Sequence, residues 1–301
     1  MRKLPLVLAL LLAATPLQAR TILFVGNSFT FGQHSAFHYY RSGTVTDLNA
    51  PGANGKTVGG VPAIFKAFTQ QAGLDYTVSL ETVGGRGLDY HFAEKRAVLD
   101  KAWDDVVMHG YSTLDQAKPN NPALLVSSSK AMAEMLRARN AAVKLYLTAT
   151  WSRADQTFPE GRPWFGKPIQ QMGKDIAVAY DLAAGVIHAA GVVPMGLAWN
   201  RAIDTGFADA NPYDGIDANK INLWAYDRYH ASAFGYYLEA LLVFGKVTGK
   251  DPLSLGGSET VADDMGFSAD ETKKLQQLAH DELAAQLDLT PSEKAELARQ
   301  P

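Results

Sequence analysis

The sequence predicts an α/β fold: a mostly parallel sheet covered by helices on both faces. Two observations predict it. Short β-branched and aromatic runs, with Ile22-Leu23-Phe24-Val25 the first, alternate with longer stretches of helical periodicity. Small residues then close the runs: Gly26, Gly84-Gly85 and Gly110. Open α/β sheets bind ligands at the carboxyl ends of their strands, so these loops are where a site is expected.

Along the chain, 22–25 reads as a buried strand ending at Gly26, and 33–58 as a long loop rich in Gly, Asn, Ser and Thr. Val61, Ile64, Phe65 and Phe68 recur at helical spacing before Gly73. Residues 76–83 and 105–108 read as strands, 122–140 as a helix and 143–150 as a strand. Ile176, Tyr180, Ala183 and Ile187 mark a further helix, 191–194 a last short strand, and 201–227 a polar loop. Residues 231–247 are helical, with Phe234, Leu238 and Leu241 on one face. Ser268 and Glu271 form a capping box before a helix reaching Leu287. The expected organisation is a leader over 1–19, an α/β domain over 20–256, and a helical extension over 257–301.

The leader is read from a basic start, Met1-Arg2-Lys3, an apolar run from Leu4 to Ala14, and Ala19 as a small residue before the cut. The run is short for a membrane span. The mature chain is expected to begin near Arg20 and to work in a periplasm or outside the cell.

Composition narrows the chemistry. With 28 basic and 31 acidic residues, the chain has no basic excess for nucleic acid. It has no cysteine, which excludes disulfide scaffolds, zinc–thiolate sites and cysteine nucleophiles.

Ser28 follows the first strand in Gly26-Asn27-Ser28-Phe29-Thr30, and Asp227-Arg228-Tyr229-His230 precedes the late helix. A serine hydroxyl needs a base to become a nucleophile. His230 supplies one, and Asp227 three residues earlier can fix its tautomer. Backbone N–H groups after the first strand and in the glycine block can face a developing oxyanion.

Residues 22–32, ILFVGNSFTFG, together with 227–242, DRYHASAFGYYLEALL, resemble the SGNH hydrolases of the GDSL-like superfamily. The resemblance runs in block order over about residues 21–250. It implies a flavodoxin-like three-layer α/β/α domain, with Ser28 as nucleophile and Asp227 and His230 completing the triad. It also implies an oxyanion hole of the Ser28 N–H, a glycine N–H and a third-block donor. Gly85 is the best match for the glycine, with Gly84 and Gly87 as rivals. The third block normally ends in Asn, but here reads Gly110-Tyr111-Ser112, which makes this a divergent branch. Ser112 or His109 is expected to compensate.

Other features have weaker readings. APGANGKT at 50–57 nearly spells a phosphate-binding loop but lacks its first Gly and a preceding strand. Asp209, Asn211, Asp214, Asp217 and Asn219 crowd one loop in a way that suits calcium, but not in EF-hand order, and turns are the simpler reading. Trp151 and Arg153, with Trp164 and Trp224, either line a cleft for a sugar ring or a polar ester or close the core. His34, His38, His91, His188 and His280 read as surface or core residues, although His91 lies close enough behind the glycines to reach the cleft.

The expectation is an exported serine esterase that needs no cofactor and acts on carboxylic esters, with short acyl esters of carbohydrate implied by the resemblance. No nucleic-acid partner and no membrane span in the mature chain are expected. The alternative is a carbohydrate-binding or envelope-associated module with a weakened site, motivated by Ser112.

Overall fold

The computed structural model describes residues 19–49 and 55–288. In chain order the elements are β1 (Arg20–Gly26), β2 (Thr46–Asp47), α1 (Gly60–Gln71), β3 (Tyr76–Thr82), α2 (Leu88–Glu94), α3 (Arg96–Leu99) and β4 (Asp105–Met108). Then follow α4 (Ala123–Arg139), β5 (Lys144–Thr148), α5 (Ala154–Thr157), α6 (Gln170–Ile187), β6 (Gly191–Val193) and α7 (Met195–Asp204). The last are α8 (Ala233–Thr248), α9 (Thr260–Met265) and α10 (Ala269–Asp288). The leader expected over 1–19 falls almost wholly outside the described residues, as do 50–54 of the APGANGKT stretch.

The strands form one six-stranded sheet in the order β2-β3-β1-β4-β5-β6, with every pairing parallel. Helices cover both faces, giving the expected three-layer α/β/α sandwich. The apolar side chains of β1 divide between the layers. Ile22 and Phe24 pack with α1, α7 and α8, while Leu23 and Val25 pack with α2, α4 and α6. A strand buried on both faces must be apolar throughout, which accounts for the unbroken 22–25 run.

The C-terminal helices join the first of these layers. Val261, Leu275 and Leu278 belong to the same apolar cluster as α8. Glu259 caps α9 by accepting from the Val261 and Ala262 N–H groups, and the Ser268–Glu271 capping box opens α10.

The chain moves from β1 outward to β2 and β3 on one side, then to β4, β5 and β6 on the other. The topology therefore reverses at β1, and the crevice beyond the carboxyl ends of β1 and its neighbours is the place for a ligand. The loops carrying Ser28, Gly84-Gly85 and Ser112 leave those three strands.

Candidate active site

β1 ends at Gly26, and Asn27 and Ser28 turn out of the sheet. A Cβ at Gly26 would overlap the Thr30 hydroxyl and the His109 ring, so only glycine fits there. Asn27 ties the turn to its neighbours. Its amide donates to the Arg86 carbonyl (2.9 Å) and the Gly110 carbonyl (3.3 Å), and its Oδ1 accepts the Phe29 N–H. One side chain thus joins the loops after β1, β3 and β4. From α8, the Tyr236 hydroxyl reaches the Ser28 and Gln33 carbonyls, each at 3.2 Å. Among the described residues, the Ser28 N–H donates to nothing, and neither do those of Gly84 and Gly85.

Asp227 and His230 lie in a turn before α8, not at its start. Ser232 caps that helix, which frees the Asp227 carboxylate for the turn. Asp227 Oδ1 accepts the Tyr229 and His230 N–H groups at 3.1 and 3.0 Å, and Oδ2 faces His230 Nδ1 at 2.5 Å. The imidazole therefore carries its proton on Nδ1. Its Nε2 is buried and has no partner among the described residues. Among the described residues no hydrogen bond joins Ser28 to His230, but Phe29 brings its ring edge-on to His230 at 5.7 Å.

Burial lowers the His230 pKa, outweighing the Asp227 carboxylate, which raises it. The charges of His34 and Arg153 lower it further. For Asp227, burial works to raise the carboxyl, but the hydrogen bonds from the His230 side chain and from the His230 and Tyr229 N–H groups hold it below the ordinary carboxylate value.

Three neighbours pack around the site. His34, read as surface or core, places Nε2 3.5 Å from Asp227 Oδ2 and packs its ring edge-on to His230 at 5.1 Å. His34, Asp227 and His230 bring one ligand atom each within 4.8 Å of one another. Within the trio, His230 Nδ1 already hydrogen-bonds Asp227 Oδ2. His109, expected at the substrate, is buried with both nitrogens engaged, Nδ1 at the Gly110 carbonyl and Nε2 at the Thr30 hydroxyl. Trp151, read from the sequence as lining the cleft or closing the core, does the latter and has no exposed surface. It stacks between Phe29 (4.0 Å) and Trp199 (5.0 Å) and so forms the floor beneath the Ser28 turn.

Arg153 and Ser112 are together. Arg153 Nη1 donates to Ser112 Oγ at 3.1 Å, and its guanidinium lies 3.6 Å from the centre of the Tyr229 ring. Ser28, His230 and Ser112 are 7%, 6% and 7% exposed, so the polar groups are nearly enclosed. Among the glycines, Gly85 takes a positive φ of 71° in open space, whereas a Cβ on Gly87 would strike Tyr111.

Other readings resolve differently. His91 does not reach the cleft; it is buried with Nδ1 on Glu81. Trp164 and Trp224 are buried, and their indole N–H groups donate to Asp175 and the Ser152 carbonyl. In the 209–219 loop, Asp209 accepts the N–H groups of Asn211 and Asp217, and Lys220 pairs with Asp217. Those carboxylates hold turns.

Sequence reasoning missed Asn27 as the tie between loops, although it lies inside the recognised block. It missed His34 for lack of any signal, since only the folded turn brings it to Asp227.

No protein-family model matches the chain, and no curated protein does. Solved structures do. A DUF4886 family protein from Bacteroides uniformis is 17% identical, with a TM-score of 0.58 over 91% of this chain and 98% of its own. A proposed GDSL-like lipase from Parabacteroides merdae is 14% identical, with a TM-score of 0.51 over 77% of this chain and 96% of its own. At these identities the likeness is one of architecture, and the chain has the α/β/α fold of these two proteins.

Proposed function

We propose that the protein is an exported serine esterase of the SGNH type, with Ser28 as nucleophile, His230 as base and Asp227 as its orienting partner. One observation carries the reading: a buried imidazole fixed by Asp227 through Nδ1, with an Nε2 unpartnered among the described residues and its ring packed on Phe29, the residue after Ser28. A lone pair so held is suited to take the Ser28 proton.

In the reaction, Ser28 Oγ adds to the ester carbonyl while its proton passes to His230 Nε2. The oxyanion meets the Ser28 N–H, which has no other partner among the described residues, and a second N–H from the glycine block, with Gly85 the best candidate. The tetrahedral species collapses, His230 returns the proton to the leaving alcohol, and an acyl-enzyme remains. Water, deprotonated by His230, then releases the acid.

A short acyl group such as acetyl suits a site whose polar side chains are nearly enclosed. The ring of Tyr226, 76% exposed beside Asp227, offers a face to the ring of a sugar alcohol. The apolar run before Ala19 supports export, and no helix among the described residues is long and apolar enough to cross a membrane.

The test is hydrolysis of p-nitrophenyl acetate, butyrate and octanoate, and of acetylated oligosaccharides, by the mature chain and by Ser28→Ala. Turnover that falls with chain length and vanishes in Ser28→Ala is expected. Equal turnover in both proteins would defeat the reading.

A further inference from the structure

We propose that Arg153 is a positioning residue for the oxyanion hole: it holds the Ser112 hydroxyl as the third donor, in place of the absent asparagine. The inference rests on the serine-esterase reading above and concerns how that site works without an amide.

Ser112 leaves β4 in the triplet Gly110-Tyr111-Ser112. Its loop is fixed to the Ser28 turn, because Asn27 donates to the Gly110 carbonyl. A serine hydroxyl rotates freely and is both donor and acceptor, so alone it has no fixed polarity. Arg153 removes that freedom. A guanidinium has no acceptor, so at 3.1 Å from Nη1 the Ser112 oxygen must accept. The hydroxyl proton is then left over, and no described group takes it.

The guanidinium is itself locked. Asp155 holds it in a two-point grip, Nε to Oδ1 at 2.9 Å and Nη2 to Oδ2 at 2.6 Å. The Tyr229 ring covers one face, and only 13% of the side chain is exposed. Gln156 also donates to Asp155, and the Asp155 N–H donates to the Arg228 carbonyl at 3.3 Å. The clamp is thereby tied to the Asp227–His230 turn as well as to Ser112. Planar two-point pairing of this kind fixes geometry that a lysine cannot reproduce.

As Ser28 Oγ bonds to the ester carbon, the carbonyl π pair moves to its oxygen and the Ser28 proton goes to His230 Nε2. The new oxyanion accepts from the Ser28 N–H and the Ser112 O–H. The Arg153 charge stands one hydrogen bond behind Ser112 and makes that O–H a stronger donor. When the intermediate collapses the negative charge leaves the oxygen, so the added stabilisation belongs to the transition state and not to the bound ester.

The experiment measures kcat and KM on p-nitrophenyl acetate for Ser112→Ala, Ser112→Asn, Arg153→Ala, Arg153→Lys and the double variants, with Ser28→Ala alongside. Ser112→Ala and Arg153→Ala should each lower kcat about 10²-fold with KM within about twofold. Their double variant should be no slower than Ser112→Ala, because both changes remove one donor. Ser112→Asn combined with Arg153→Ala should regain at least about tenfold over Arg153→Ala, since an amide needs no polarising partner. Arg153→Lys keeps the charge without the fork and should lose most of the effect with an unchanged melting curve, which covers the case of Arg153→Ala failing to fold. Wild-type kcat in Ser112→Ala, or losses that multiply in the double variant, would overturn the proposal. Full activity in Ser28→Ala would instead remove the esterase reading beneath it.

Discussion

His230 is committed on one side only: its Nδ1 meets Asp227 Oδ2 at 2.5 Å, while its Nε2 is buried and unpartnered among the described residues. The carboxylate also accepts two backbone N–H groups of the same turn. One short segment therefore fixes the position, tautomer and orientation of the imidazole.

Replacing Asp227 by Asn tests that arrangement. The amide oxygen can keep the two backbone bonds, but an amide N–H in place of Oδ2 would force the other tautomer. Asp227→Asn is expected to fold normally and to lose about 10⁴-fold in kcat. A loss of less than tenfold would show that the tautomer does not limit the reaction.

Activity should persist below the ordinary histidine range. His230 acts as a base only when neutral. Burial, the largest cause, holds its pKa below 6.5 and outweighs Asp227. The acidic limb of kcat/KM is therefore expected below pH 6.5. Removing the Arg153 charge should move that limb to higher pH, because the charge lowers the His230 pKa. A pH–rate profile of both proteins checks the position and the direction.

Stability should also fall on the acid side, through His109. Burial, the largest cause, lowers its pKa to about 4, so between pH 6.5 and 4 the unfolded chain binds a proton there that the native state refuses. Stability is lost as pH falls through that window, by up to about 3 kcal/mol from this group. His109→Gln should flatten the slope in urea melts across the same window, whatever its own stability at pH 7.

The aromatic floor should couple stability to catalysis. Trp151 stacks between Phe29 and Trp199 and donates its indole N–H to the Tyr229 carbonyl. Trp151→Ala is expected to cost about 3–5 kcal/mol in denaturant unfolding. It should also lower kcat, because Phe29 follows Ser28 and Tyr229 precedes His230, the proposed nucleophile and base.

Much of this architecture was legible in the sequence. The 105–108 strand, the helices near 61–71 and 123–139, and the Asp227–His230 pairing all carry strong local patterns. Other elements carry little. β2 is two residues in a polar stretch and exists only by pairing with β3. The helix Met195–Asp204 follows a Pro and carries Gly196 within it, so its stop-like residues conceal it from a periodicity search. The helix after His230 was expected from Ala231, but the Ser232 hydroxyl begins it two residues later. At the site, the Asp227–His230 pairing was readable from its short spacing, but partnerships across the fold were not. Trp151 looks the same in sequence whether it faces a ligand or a core, and only its stack with Phe29 and Trp199 decides. The Arg153–Ser112 contact joins residues 41 apart and leaves no local mark.

The central claim is that Ser28 is the nucleophile served by His230. The most direct measurement is intact-mass and peptide mass spectrometry after treatment with a p-nitrophenyl alkylphosphonate, which traps an activated serine as a stable ester. The account predicts one adduct per chain on the peptide carrying Ser28, none in Ser28→Ala, and slow labelling in Asp227→Asn. An adduct on another residue, with ester hydrolysis surviving in Ser28→Ala, would contradict it.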